Sequence, residues 1–550
     1  METLAGRTAV ASPPAPAAPP SVATARALAR VEAGKLLRSP ILVGGGLFSL
    51  LPGLGFWNPS VVFDLRLTAI GIAITFFPLA AAVLIASNLA TLRSRRHGTD
   101  QLYESLPSPA AARTGGHLLA VTAVAAFASG LAVLLVAGQA LLADTLGSPN
   151  VAEMAVGPLL VAGAGALGVL LARWVPTPAA APVACVAIAV FQMSTTDTAL
   201  LTGGWRTLGF WTYPGDLPVE LLPDRRPGWH VAYLVGLVAM AAVGALVAHG
   251  LRRPLVVAGA VALSVAAGSA WVQSRPPSAA GWAADNALLE RPGDHQACEE
   301  RDGTTYCAYP AYRSLVGNWA KPVSGVRRAV PAGAWPADLA VTQRVTSSDR
   351  RWVADDVLAG VLPALPAVDA ALPDDGHLHP AMGWGTERTD DLTLALAAAS
   401  RAVGLPMVPD PAGASCDASG QGRAVVALWL AGQATGRAGD ALRTLASAQE
   451  VSAGRARFLV VLQHDTPPGV AWGAVEVGHA LELLRRPADE VRGALAADWE
   501  GLAGPGTTTA AVATRLGLAP AADGLPATDA HGEATRYGAG TEVRIGDRCP

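Results

Sequence analysis

The sequence predicts a polytopic α-helical membrane protein of about seven transmembrane helices, followed by a mostly helical α+β extracytoplasmic domain. Three observations lead there. The 550 residues are 51% hydrophobic and 15% charged, with a mean hydropathy of +0.36, too apolar for an ordinary soluble chain of that length. A Pro-rich tail apart, every charge-free window long enough to span a bilayer lies before Arg275. Beyond it the longest uncharged stretch, 501–514, is too short to cross.

In chain order, residues 1–22 read as a disordered cytoplasmic tail, because Glu2 and five prolines stand where a secretory signal has a basic start and an apolar helix. Residues 23–274 form the membrane part. A hydrocarbon core about 30 Å thick needs roughly 20 apolar helical residues. Seven windows meet that test: 39–63, 67–92, 114–143, 154–172, 174–196, 227–251 and 254–274. The fourth is short and the fifth opens on Pro176, Pro178 and Pro182, so a broken or re-entrant segment is the alternative for one of them.

Arginine placement orients the spans. With the N-terminus inside, the inner segments hold Arg7, Arg26, Arg30, Lys35, Arg38, Arg93, Arg95, Arg96, Arg113, Arg173, Arg252 and Arg253. The outer ones hold Arg66, Arg206, Arg225 and Arg226. An odd number of spans then carries residues 275–550 to the outer face of the plasma membrane.

The cysteines test that topology independently. Asp302-Gly303 is the turn pair of a two-residue hairpin, since both positions need positive φ. Counting back from it sets Arg301 opposite Thr304, Glu299 opposite Tyr306, and Cys298 opposite Cys307. Alternation makes the cysteines a non-hydrogen-bonded pair, with Cα atoms about 4.5 Å apart, inside disulfide range. A Cys298–Cys307 disulfide is therefore expected, with two free thiols the alternative, and it requires an oxidising compartment. Cys416 and Cys549 form a weaker candidate pair, and Cys185 reads as a small apolar filler within a span.

Between the second and third spans lies the loop 93–113. After a basic cluster, Gly98 breaks the helix, Thr99 is a good N-cap, Asp100 favours the positive end of a short helix, and Pro107 and Pro109 stop it. The helix 100–106 would show Leu102, Tyr103 and Leu106 on one face. So short a helix is not stable alone. The plain alternative is a solvated connector whose arginines only obey the inside rule.

Two segments carry a family resemblance: ARALARVEAGKLLRSPILV (25–43), an Arg-rich stretch directly before the first span, and SNLATLRSRRHGTDQLYESLPSPAAARTGGHLLA (87–120). Over its first half the chain resembles the permease subunit of ABC-2 type ABC transporters, in the style of high-GC Gram-positive bacteria. The resemblance implies an interfacial elbow helix at 25–38 and a coupling helix that seats in a cleft of a cytoplasmic ATPase. By position, the coupling residues would be Thr99, Asp100, Gln101, Leu102, Tyr103, Glu104, Ser105 and Leu106. It also implies a homodimer or a heterodimer with a second permease, and ATP and magnesium held by the partner ATPase. The seventh span and the large C-terminal region depart from the family's six-span pattern. Residues 200–222 match its outer re-entrant hairpin in position.

Other activities lack their residues. A phosphate-binding loop needs a glycine five residues before its Gly-Lys pair, and Ala29 stands there ahead of Gly34-Lys35, while Lys321 follows Ala320. No HExxH or GxSxG motif is present, so no enzyme is expected in this chain and no cofactor within it. His377 and His379, beside Asp374 and Asp375, are the best metal-like cluster, but next to Gly376 and Pro380 they read as a polar loop. His464-Asp465 follows an apolar run without a nucleophile at readable spacing, and His479 reads as a surface or packing residue. With a net charge of −3 and no basic block interleaved with aromatics, nucleic acid is excluded as a partner.

The outer domain shows helical patterns at 351–365, 390–403, 475–486 and 488–502, and apolar runs at 424–430 and 457–462 that read as strands. The expected activity is movement of a hydrophobic or amphipathic compound. A polytopic sensor or anchor, whose outer domain binds a ligand or an envelope partner, is the alternative.

Overall fold

The computed structural model describes residues 22–55, 63–99, 108–142, 145–196, 208–210, 226–275, 291–344, 376–380, 388–409, 413–451, 457–461, 468–519, 534–537 and 541–550, with single positions 101, 280, 283 and 287. The fold is mostly helical, with a few small sheets. Residues 1–21 of the expected disordered tail lie outside the described residues, and Val22 opens the first helix.

α1 (Val22–Leu37) is followed by α2 (Pro40–Gly55), β1 (Phe63–Asp64), α3 (Leu65–Thr75), α4 (Phe77–Thr91) and α5 (Arg93–Arg96). Then come α6 (Ala110–Leu142), β2 (Thr145–Leu146), α7 (Val151–Trp174), α8 (Ala180–Thr196), α9 (Pro227–Val247) and α10 (Arg253–Gln273). Five of these segments are long and apolar enough to cross a membrane: Thr68–Thr91, Ala110–Leu142, Val151–Trp174, Pro227–Val247 and Arg253–Gln273. The first and fifth windows of the sequence yield only shorter apolar helices, Pro40–Leu50 and Ala180–Thr195. Pro176 and Pro178 stop α7 from running on into α8, since proline lacks the donor that a continuing helix needs.

α7 is the hub. Asn150 caps its start by accepting from Ala152 N–H at 2.9 Å. Its glycines let neighbouring helices approach: a Cβ on Gly165 would lie 2.4 Å from Val121 of α6, and one on Gly168 2.2 Å from Ser87 Oγ and 2.4 Å from the Leu84 carbonyl of α4. Into that contact Ser87 Oγ donates to Gly165 O (3.0 Å) and Asn88 Nδ2 to Gly168 O (3.2 Å). α9 and α10 pair through Gly236, whose Cβ would meet the Ala266 backbone at 2.7 Å.

At one end of this bundle the turn after α6 enters a second core. Leu146 is 1% exposed among Tyr312, Leu315 and Trp319, and Arg66 stacks on the Tyr312 ring at 5.4 Å. That core belongs to residues 291–550. There β3 (Ala297–Arg301) and β4 (Thr304–Ala308) form the expected hairpin, with Asp302 and Gly303 at φ +48° and +64° and Cys298 paired with Cys307. Their disulfide spans Cα atoms 4.0 Å apart. β5 (Ala340–Thr342) adds parallel to β4, after α11 (Val316–Ala329) has buried Trp319.

α12 (Arg388–Ala402), β6 (Ala414–Asp417), α13 (Gly422–Ala434) and α14 (Gly436–Ala448) lead to β7 (Phe458–Leu459) and β8 (Val470–Gly473). α15 (Ala474–Leu483), α16 (Ala488–Ala497), α17 (Trp499–Ala503), α18 (Thr509–Arg515), β9 (Ala534–Tyr537) and β10 (Thr541–Arg548) complete the chain. The sheet order is β7-β8-β6-β10-β9, with β6 parallel to both β8 and β10. The second disulfide, Cys416–Cys549, joins β6 to the residue after β10.

Two expectations are corrected here. The run 424–430, read as a strand, is the middle of α13, buried on every side, and such a helix is apolar all round and shows no period. The helix expected over 488–502 breaks at Asp498, whose carboxylate accepts from Gly501 N–H and starts α17 anew. The helix expected at 351–365 lies outside the described residues.

Candidate coupling junction and membrane cavity

Of the residues expected to form a coupling helix, Thr99 and Gln101 are described, and Asp100 and residues 102–106 lie outside the described residues. Gly98 does end the basic helix, at φ +64°. Its N–H donates to Arg95 O and that of Thr99 to Ser94 O (2.9 Å), which closes α5 in a Schellman motif. The Thr99 hydroxyl also turns back to Ser94 O, at 3.3 Å.

The two helices that flank this loop are both fastened to α1. Glu32, 4% exposed, accepts through Oε1 from Lys35 Nζ and from Arg93 Nη1, each at 3.1 Å. Burial alone would raise the Glu32 carboxyl, but His117, Arg93 and Lys35 around it outweigh that and hold it below the ordinary carboxylate range. On the α6 side, Gly116 meets Leu28: a Cβ there would lie 2.9 Å from Leu28 Cδ2. α1 therefore bridges the end of α4–α5 and the start of α6.

The same end is tied to the rest of the bundle. Thr114 Oγ1 meets His249 Nε2 at 2.7 Å across the turn between α9 and α10, and Trp174 Nε1 donates to Gly244 O at 2.9 Å.

Deeper in the bundle, α4, α7, α8 and α9 line an open-sided cavity of about 250 Å³. Its walls include Leu84, Leu160, Ile188 and Leu237, and among the described residues Cys185 is their single heteroatom-bearing side chain. Phe210 closes one end. Its N–H donates to Gln192 Oε1 at 2.8 Å and its carbonyl accepts from His230 Nε2 at 3.1 Å.

Other sequence candidates resolve as follows. The His377 and His379 rings lie 6.3 Å apart, but His379 Nδ1 bonds the Thr342 carbonyl at 3.1 Å. Among the described residues no group of three His, Cys, Asp or Glu is placed to hold a metal. Asp374, Asp375, His464 and Asp465 lie outside the described residues, and His479 is a buried packing residue of α15. Sequence reasoning missed Ser87 and Asn88. Their signal is a polar pair within an apolar span, answered by glycines three apart on another.

Comparison with known protein families, with curated proteins and with solved structures returned no match.

Proposed function

We propose that the chain is the membrane-spanning permease subunit of an ABC-2 type transporter. Seven segments cross the plasma membrane, the N-terminus is cytoplasmic, and residues 275–550 lie outside. Two permease chains and two cytoplasmic ATPase subunits together move a hydrophobic or amphipathic compound. The ATPases hydrolyse ATP with magnesium, and this chain contributes no catalytic residue.

One observation supports this reading best. Both helices that flank the loop 97–109 are locked to α1, through Arg93–Glu32 on one side and Gly116–Leu28 on the other. A push on the loop then moves three helices as one body, the condition for rocking two halves between inward and outward states. The test is purification with candidate ATPases and assay of stimulated ATP turnover. Combining Asp100→Lys and Glu104→Lys with Tyr103→Ala is expected to abolish both ATPase retention and stimulation. Unchanged retention and turnover refute the role.

A sensor or anchor is the second reading, favoured by Leu146, which plants the turn after α6 inside the core of residues 291–550. A ligand bound there would reach the bundle without any ATPase. Detergent pull-downs that capture an envelope partner and no ATPase select this reading.

A further inference from the structure

The cavity among α4, α7, α8 and α9 takes no part in coupling, and its chemistry is specific. Among the described residues, every side chain that lines it apart from the Cys185 thiol is apolar. A sealed apolar cavity of about 150 Å³ stays dry and takes up benzene, because water finds no hydrogen-bond partner in it; this space is open on one side, and what it offers a guest is the same apolar wall. At about 250 Å³ this one admits a larger apolar guest. Small residues from three helices line the space: Ala80 and Ala81 on α4, Gly163 and Ala164 on α7, Ala241 on α9.

Its walls are unequal. α4 and α9 pack closely on α7, whereas α8 rests only sparsely on α4 and α7. The opposite face of α8 leaves Val183, Val186 and Val190 at 67%, 64% and 60% exposure, the face a bilayer would cover. At the cavity's outer end Phe210 is pinned to α8 through Gln192, to α9 through His230, and edge-on to the Phe191 ring at 5.7 Å.

We propose that this cavity binds one linear, uncharged hydrocarbon chain, the tail of a membrane lipid or lipid-like amphiphile, admitted from the bilayer beside α8 and stopped by Phe210. The headgroup stays outside, since among the described residues no charged or amide side chain lines the space to receive it. The proposal requires these helices to lie in a membrane. It does not require ATP coupling, so loss of ATPase binding and loss of chain binding are separate outcomes.

Cys185 is the one cysteine of five outside a disulfide, and it reports on the cavity directly. Full-length protein in digitonin, whose rigid steroid body carries no linear chain to occupy the site, is treated with methylmercury chloride, with and without decanol, and the product is read by intact mass. Decanol at about ten times its Kd is expected to slow mercuration of Cys185 about tenfold. Ala164→Phe and Ala241→Phe, which fill the cavity from different helices, are expected to abolish that protection. Mass spectrometry of extracted wild-type protein separates the sources: phospholipid in bilayer proportions marks an ordinary lipid tail, and one enriched compound a dedicated amphiphile. Equal mercuration of folded wild-type protein at saturating decanol overturns the proposal. So does rapid labelling by a charged methanethiosulfonate, which would make the space a water-filled path.

Discussion

Arg93 donates through Nη1 to Glu32 Oε1 at 3.1 Å and so joins the end of α4–α5 to α1. The two partners differ in exposure, 37% for the Arg93 side chain against 6% for Glu32. Removing either therefore has unequal consequences. Arg93→Ala leaves a buried carboxylate with Lys35 as its remaining ion-pair partner and is expected to cost about 3 kcal/mol. Glu32→Gln leaves cations that reach water and should cost only about 1 kcal/mol. Thermal unfolding of the detergent-solubilised protein ranks the two, and a larger loss for Glu32→Gln would contradict the assignment.

The pH dependence of this junction has a definite sign. The folded Glu32 carboxyl lies below its ordinary value, so its contribution is complete above that value and is lost as pH falls through the folded one. Glu476 has the opposite sign. Burial raises its carboxyl, although Gly420 N–H (2.9 Å) and the Thr509 hydroxyl both donate to Oε1. Stability then falls as pH climbs from the ordinary carboxylate value through the raised one. Glu476→Gln keeps the accepting oxygen without the charge, so it should melt like wild type in acid and higher than wild type at pH 8. Equal melting at pH 8 would contradict the raised carboxyl.

These residues mark what is legible in the sequence. The cysteine hairpin can be read in full, because an Asp-Gly turn sets the register and alternation does the rest. α13 cannot, since a helix buried all round carries no face for periodicity to detect. The Ser87 and Asn88 contacts need the knowledge that α4 packs on α7, which no local pattern supplies. Thr99 makes a contact that propensity does not supply: its hydroxyl donates to the Ser94 carbonyl of the preceding helix, because Gly98 turns the chain back over α5.

Gly168 separates tight packing from general tolerance. A Cβ there would lie 2.4 Å from a backbone carbonyl of α4, and backbone cannot step aside as a flexible side chain can. Gly168→Ala should cost about 1–3 kcal/mol or more. Gly130, within α6, has no atom within 4 Å of its Cβ direction, so Gly130→Ala should gain about 0.5–1 kcal/mol from helix propensity. Melting temperatures in one detergent compare the pair, and equal shifts would place the α4–α7 contact elsewhere.

The two disulfides should differ in strength and in order of reduction. Their cysteines are 9 and 133 residues apart, and closing such loops stabilises by about 3 and about 5 kcal/mol in the chain-entropy model. Cys549→Ser should therefore lower the melting temperature more than Cys307→Ser. Cys298 is exposed and Cys549 only 5% exposed, so limited dithiothreitol should open Cys298–Cys307 first. Peptide mapping of partly reduced protein shows which bridge opens, and early loss of Cys416–Cys549 would contradict the burial.

The arrangement of ends gives the sharpest test of orientation. α5 and the start of α6 lie at one end of the bundle, while Leu146, one helix length away along α6, sits in the core of residues 291–550. If α6 spans the bilayer, His97 and Gly293 face opposite aqueous compartments, and the arginine bias puts His97 inside. Both are exposed, so each accepts a cysteine as a reporter without disturbing packing. In intact cells a membrane-impermeant maleimide should label Gly293→Cys and leave His97→Cys unlabelled until the membrane is opened. Labelling of His97→Cys from outside would invert the bundle, remove the loop 97–109 from the reach of any cytoplasmic ATPase, and end the permease reading.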